Sequence, residues 1–143
     1  KAIGEMARVL RPDGRLAVAT WAAIEELPGF AAMADLFGDE LGDWAADAMR
    51  APFSIGSADA LGDLLRPAFP DVAVVCRDGV ARFGSIEDWL YSEIRGWTLS
   101  EHVDDDQYAR LRARAGDRLA GFADADGTVS FAAPALIATA TAA

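Results

Sequence analysis

A single histidine stands in the stretch Gly96 to Asp106, which reads GWTLSEHVDDD. His102 is the only side chain whose ordinary pKa lies near neutrality, so it is the one weak candidate for a general base or a substrate contact. The plainer role is a partly exposed loop histidine beside acidic neighbours. Asp104, Asp105 and Asp106 carry the oxygen atoms that hard cations take. Carboxylates also favour a helix N-terminus, and the spacing matches no calcium loop, so no metal ligand is assigned. Cys76 is the only cysteine, which excludes an intramolecular disulfide and any multi-cysteine metal site. Its place in VAVVCR predicts a small buried side chain.

The commoner catalytic patterns are absent. The sequence has no GxGxxG, no P-loop, no nucleophile-elbow serine and no HExxH. A self-contained cofactor enzyme is hard to build from these residues. A small hydrolase or isomerase using His102 would need a second acid–base group nearby, and none has convincing spacing. The aromatic residues offer more. Trp21 closes an apolar strand, and ligands in open α/β sheets sit beyond the carboxyl ends of strands. Phe30, Met33, Phe37 and Trp44 follow at helical spacing. With Trp21 they form a candidate substrate-binding wall, or else the packed face of an amphipathic helix.

These residues need elements to hold them. Ile3, Met6, Val9 and Leu10 have helical spacing over residues 2–10. Pro12 and the pair Asp13-Gly14 then force a turn. Residues 15–21, RLAVATW, follow as a strand without alternation, expected to be covered on both faces as in a parallel sheet. Residues 24–50 read as a helical insert in which Gly38 and Gly42 each cost a single long helix about 1 kcal/mol relative to Ala. Two shorter helices fit better. Asp35, Asp39, Asp43 and Asp47 form a solvated face.

Ser57 is set to cap a helix to about Arg66, with Leu61, Leu64 and Leu65 inward. DVAVVCRDGVARF reads as one strand interrupted at Asp78-Gly79. Ser85 and Asp88 resemble a capping box for a helix that buries Ile86, Trp89, Leu90 and Ile94. Asp104 opens a helix with Tyr108, Leu111, Ala115, Leu119 and Phe122 on one stripe, whose arginines Arg110, Arg112, Arg114 and Arg118 are expected in surface ion pairs. TVSFAAPALIATA is the last strand, and Pro134 predicts an edge position or a bulge.

The 143 residues suit one domain with a real core. Hydrophobic residues make up 52%, which predicts a globular chain. No apolar run approaches a membrane span and no signal peptide opens the sequence, so a cytoplasmic location is expected. The net charge of −10 opposes the neutralisation of phosphates on which nucleic-acid binding depends. Twelve of the thirteen basic residues are Arg, the exception being Lys1.

Residues 5–21, EMARVLRPDGRLAVATW, resemble the class I S-adenosylmethionine-dependent methyltransferases of the ubiquinone/menaquinone-type small-molecule branch. Arg8, Leu10, Arg11, Pro12 and Gly14 match that family's helix-turn-strand pattern, with Asp13 where Gly is usual. DVAVVCRDGVARFGSIEDWL resembles its sixth strand and following helix start, and DGTVSFAAPALIATA its seventh, antiparallel strand. The resemblance spans nearly the whole chain. It implies an α/β fold, the C-terminal part of a Rossmann-like seven-stranded sheet (fifth to seventh strands) with helical lid insertions.

In this reading residues 1–21 are a helix and the fifth strand, 22–56 the lid, and 57–143 the last helices and the sixth and seventh strands. The glycine-rich loop that binds S-adenosylmethionine would lie upstream of Lys1. No cofactor-contacting residue carries over, and this portion alone is expected to be inactive and to bind no cofactor. The implied partner is a small, uncharged or cationic methyl acceptor. The edge of strand 15–21 left by the missing fourth strand predicts a homodimer. The alternative is a non-enzymatic α/β module that binds an apolar ligand or dimerises.

Overall fold

The computed structural model describes residues 1–96 and 98–142. It is a mixed α/β arrangement, with six α-helices and five strands among the described residues.

Helix α1 (Ala2–Val9) leads through the RPDG turn into β1 (Arg15–Trp21). Asp13 takes a φ of 59°, the left-handed region that glycine enters freely and aspartate tolerates better than most residues. The turn is tied to the far end of the chain. The Asp13 N–H donates to the Ala142 carbonyl at 3.2 Å, and the Ala142 N–H donates to the Gly14 carbonyl at 2.8 Å. The face of α1 that packs is Ile3, Ala7 and Leu10, while Met6 and Val9 are exposed.

The main sheet has the order β1-β5-β2, with β5 (Ala135–Thr141) antiparallel to both β1 and β2 (Ala73–Arg77). Ala19, Ile137 and Val75 form one row across it. Two expectations are corrected here. The described sheet is antiparallel, and β1 is covered on one face only: Leu16, Val18 and Thr20 are half-buried, whereas Arg15, Ala17, Ala19 and Trp21 are exposed. Its sequence is apolar on both sides, but among the described residues helices pack on one. Cys76 is likewise exposed rather than buried, because β2 is an edge strand.

The chain changes sheets at Asp78-Gly79 and again at Ala133-Pro134. β3 (Val80–Phe83) and β4 (Val129–Ala132) form a separate antiparallel pair. The two sequence segments read as single strands are therefore each divided. Pro134 falls in the break before β5, which is the central strand, not an edge. Its missing N–H costs no ladder bond there, and its carbonyl accepts from the Ala22 N–H at 3.2 Å.

The insert forms α2 (Pro28–Leu41) and α3 (Asp43–Arg50), joined at Gly42 with a φ of 101°. Gly29 seats the Phe131 ring of β4 so closely that a Cβ there would lie 2.5 Å from it. The acidic face is solvated as expected, with Asp35 paired to Arg50 and Asp39 to Arg118. Arg112 pairs with Glu87 and Arg114 with Glu40. Such exposed pairs are each worth about 0–1 kcal/mol.

α4 (Ala58–Leu65) is capped by the Ser57 hydroxyl and buries Leu61 and Leu65 on the main sheet, but Leu64 faces solvent. α5 (Ile86–Arg95) has half of the expected capping box: Ser85 Oγ accepts from the Asp88 N–H. The complete box opens α6 (Asp105–Arg118), where Asp104 and Gln107 satisfy each other's backbone N–H. Leu111, Ala115 and Leu119 are buried from that helix, while Tyr108 and Phe122 are half-buried.

Two apolar cores result. The smaller lies between α4 and the main sheet, around Leu65, Phe69 and Leu136. The larger gathers α2, α3, α5, α6 and β4 around Met33, Phe37, Trp89, Leu111 and Phe131.

Candidate functional site

Beyond the carboxyl end of β1 the chain turns away from the sheet, and a partly open cavity lies there. Trp21, Phe30, Ala48, Met49, Pro52, Phe53, Leu99 and Glu93 line it. Trp21 is the last residue of β1 and is 37% exposed, so its indole stands at the mouth. Phe30 comes from the first turn of α2, and Phe53 from the short 3-10 turn Ala51–Phe53 that follows α3. The ring centroids are 6.2 Å apart for Trp21 and Phe30, 6.4 Å for Trp21 and Phe53, and 5.4 Å for Phe30 and Phe53. The three rings therefore pack against one another along one aromatic wall of the cavity.

Glu93 is the single ionisable residue of the wall among the described residues. It is 6% exposed, and burial pushes its carboxyl up to about 7. The Trp89 indole, one turn earlier on α5, opposes this by favouring the charged form. That indole N–H is buried and has no hydrogen-bond partner of good geometry, so the support it gives is weak. A carboxyl balanced near neutrality in an apolar chamber can give or take a proton, or can pair with a cation brought by a ligand.

The structure brings Trp21 and Phe30 together on this wall. Met33 and Phe37 are wholly buried in the larger core and do not reach the cavity surface. Trp44 is 43% exposed and lies outside the wall, its indole N–H donating to the Leu41 carbonyl at 2.8 Å. His102 is exposed and sits edge-on to Trp44, with ring centroids 6.0 Å apart. It is not part of the cavity lining. Asp104 serves as a helix cap, and Asp105 pairs with Arg95 at 2.7 Å.

Glu93, Met49, Pro52, Phe53 and Leu99 were not singled out by sequence. For Glu93 a signal existed. It falls four residues after Trp89, on the same stripe as Leu90 and Ile94, so a carboxylate occupies the apolar face of an amphipathic helix. For Phe53 and Pro52 no periodicity marks the position, since they lie in an irregular turn.

No protein-family model matches the chain, and no curated protein sequence is significantly similar to it.

Proposed function

We propose that the chain is the substrate-side, C-terminal portion of a cytoplasmic S-adenosylmethionine-dependent methyltransferase, and that the cavity receives its small-molecule methyl acceptor. The observation that carries this reading is the cavity's position past the carboxyl end of β1, with Trp21 at its mouth. Two further features support it. The last strand is antiparallel to its neighbours, as the resemblance implies. Asp13, where the family uses Gly, holds the left-handed conformation that explains a Gly there. Among the described residues no helix is long and apolar enough to cross a membrane.

The residues present do not suit the cofactor. Among the described residues the cavity wall is apolar apart from Glu93 and offers no cation for a carboxylate-bearing cofactor. We assign the cofactor to a preceding half of the protein. What this chain supplies is an aromatic wall that orients the acceptor, which is how the family accelerates an in-line displacement. The outer edge of β1 is unpaired among the described residues, and we extend the proposal to a homodimer through residues 15–21.

The test is methyl transfer. A longer polypeptide carrying an upstream strand and glycine-rich loop should methylate members of a small-molecule panel, while calorimetry of residues 1–143 should show no binding of S-adenosylmethionine. One-to-one binding by this chain alone would overturn the division of labour. The second reading, a non-enzymatic ligand-binding module, is favoured by the aromatic wall and the Glu93 carboxyl in this cavity, which serve binding without a cofactor. It predicts ligand binding without methyl transfer by any longer form.

A further inference from the structure

We infer that the cavity selects small planar molecules bearing a cationic nitrogen, with Glu93 as the counter-ion and Trp21, Phe30 and Phe53 as the walls that receive the charge. The inference rests on the reading that the cavity is a ligand site, and it names the ligand class. The argument is one of matched deficits. Glu93 lies within the cavity wall at 6% exposure, and no side-chain hydrogen bond of good geometry reaches it among the described residues.

Among the described residues, those facing the cavity from the other elements carry no charge. They are Trp21 from β1, Phe30 from α2, Ala48 and Met49 from α3, Pro52 and Phe53 from the 3-10 turn, and Leu99 from the turn Thr98–Glu101. The nearest guanidinium on its own helix, Arg95, is held by the Val103 carbonyl and Asp105. Among the described residues only the Trp89 indole favours the charged carboxylate, and weakly, so the buried acid has no charged partner there.

A ligand ammonium would supply that partner. The same ammonium is attracted to the negative faces of the three rings, which a neutral hydroxyl gains little from and a carboxylate is repelled by. Recognition of cationic nitrogen by an aromatic enclosure plus one carboxylate needs no further group. The carboxyl's position near 7 means that binding a cation draws it toward the ionised form and releases part of a proton.

The experiment uses the 143-residue chain and three probes of nearly equal shape: benzylamine, benzyl alcohol and benzoate. Calorimetry at pH 7 should show benzylamine bound about tenfold more tightly than benzyl alcohol, and benzoate not bound. Glu93→Gln should remove about tenfold in affinity for benzylamine and abolish the preference for the amine over benzyl alcohol. Titration of the unaltered protein in buffers of different ionisation enthalpy should show proton release with benzylamine and none with benzyl alcohol, a readout independent of whether the variant folds.

Equal affinity for amine and alcohol, or a preference that survives Glu93→Gln, overturns the inference and leaves the acceptor-cavity reading intact. Failure of all three probes to bind overturns both. Amine selectivity without methyl transfer in any longer form would uphold the inference and sink the methyltransferase reading.

Discussion

Trp89 and Glu93 share the inner face of α5 one turn apart, an indole N–H without a hydrogen-bond partner beside a carboxyl that is 6% exposed. Among the described residues neither group has a hydrogen-bond partner of good geometry, and their burial has consequences that can be measured.

The first is a pH dependence of stability. Burial raises the Glu93 carboxyl from 4.5 to about 7 in the folded state. Between those values the unfolded chain has lost the proton and the folded chain still holds it. Stability is therefore greatest, as far as this group goes, below about 4.5, and falls as pH rises through 7. The full swing is of order 3 kcal/mol from a shift of this size. Urea titrations from pH 4 to 8 should show the decline, and Glu93→Gln should flatten it. An unchanged profile in the variant would assign the decline to other groups.

Wall and core residues should separate in their effects. Phe37→Ala empties a wholly buried site and should cost about 3–5 kcal/mol of stability. Trp21→Ala truncates a ring at the cavity mouth and should cost much less stability while weakening benzyl alcohol binding severalfold. Thermal melts and calorimetry on the two variants decide. Comparable losses of stability would mean that the Trp21 ring is mainly structural.

The RPDG turn gives a backbone test. At Asp13, with its φ of 59°, a β-branched side chain meets the left-handed penalty in full. Asp13→Val should destabilise by about 1–2 kcal/mol, whereas Asp13→Gly should be near neutral. A denaturant midpoint that moves equally for both would place the turn elsewhere in conformational space.

The open edge of β1 should reveal itself in solution. Light scattering at high protein concentration should report a dimer, and Ala19→Lys, which puts a charge on the exposed face of that strand, should return a monomer. A monodisperse monomer before any substitution would count against pairing through residues 15–21.

The sequence by itself determined the elements whose signals are local. Ser57 and Asp104 mark helix starts because their side chains cap backbone donors within three residues. Gly42 divides the insert because it alone frees the backbone for a φ of 101°. Asp13-Gly14 closes a turn for the same kind of reason. Trp21 was legible as a wall residue because it ends a strand, whereas Phe30 was marked only by the helical spacing it shares with Met33, Phe37 and Trp44, which does not tell wall from core.

The tertiary structure decided what depends on partners distant in sequence. That β5 is central, that β3 and β4 leave the main sheet, and that Cys76 faces solvent all follow from strand pairing, which local composition does not encode. Met33 and Phe37 share a stripe with Phe30, yet α6 and β4 close over that side of α2 and leave them no free surface. Glu93 became a site residue for the converse reason. Its helix turns it inward with Trp89, and among the described residues no charged side chain faces it across the cavity to meet its charge.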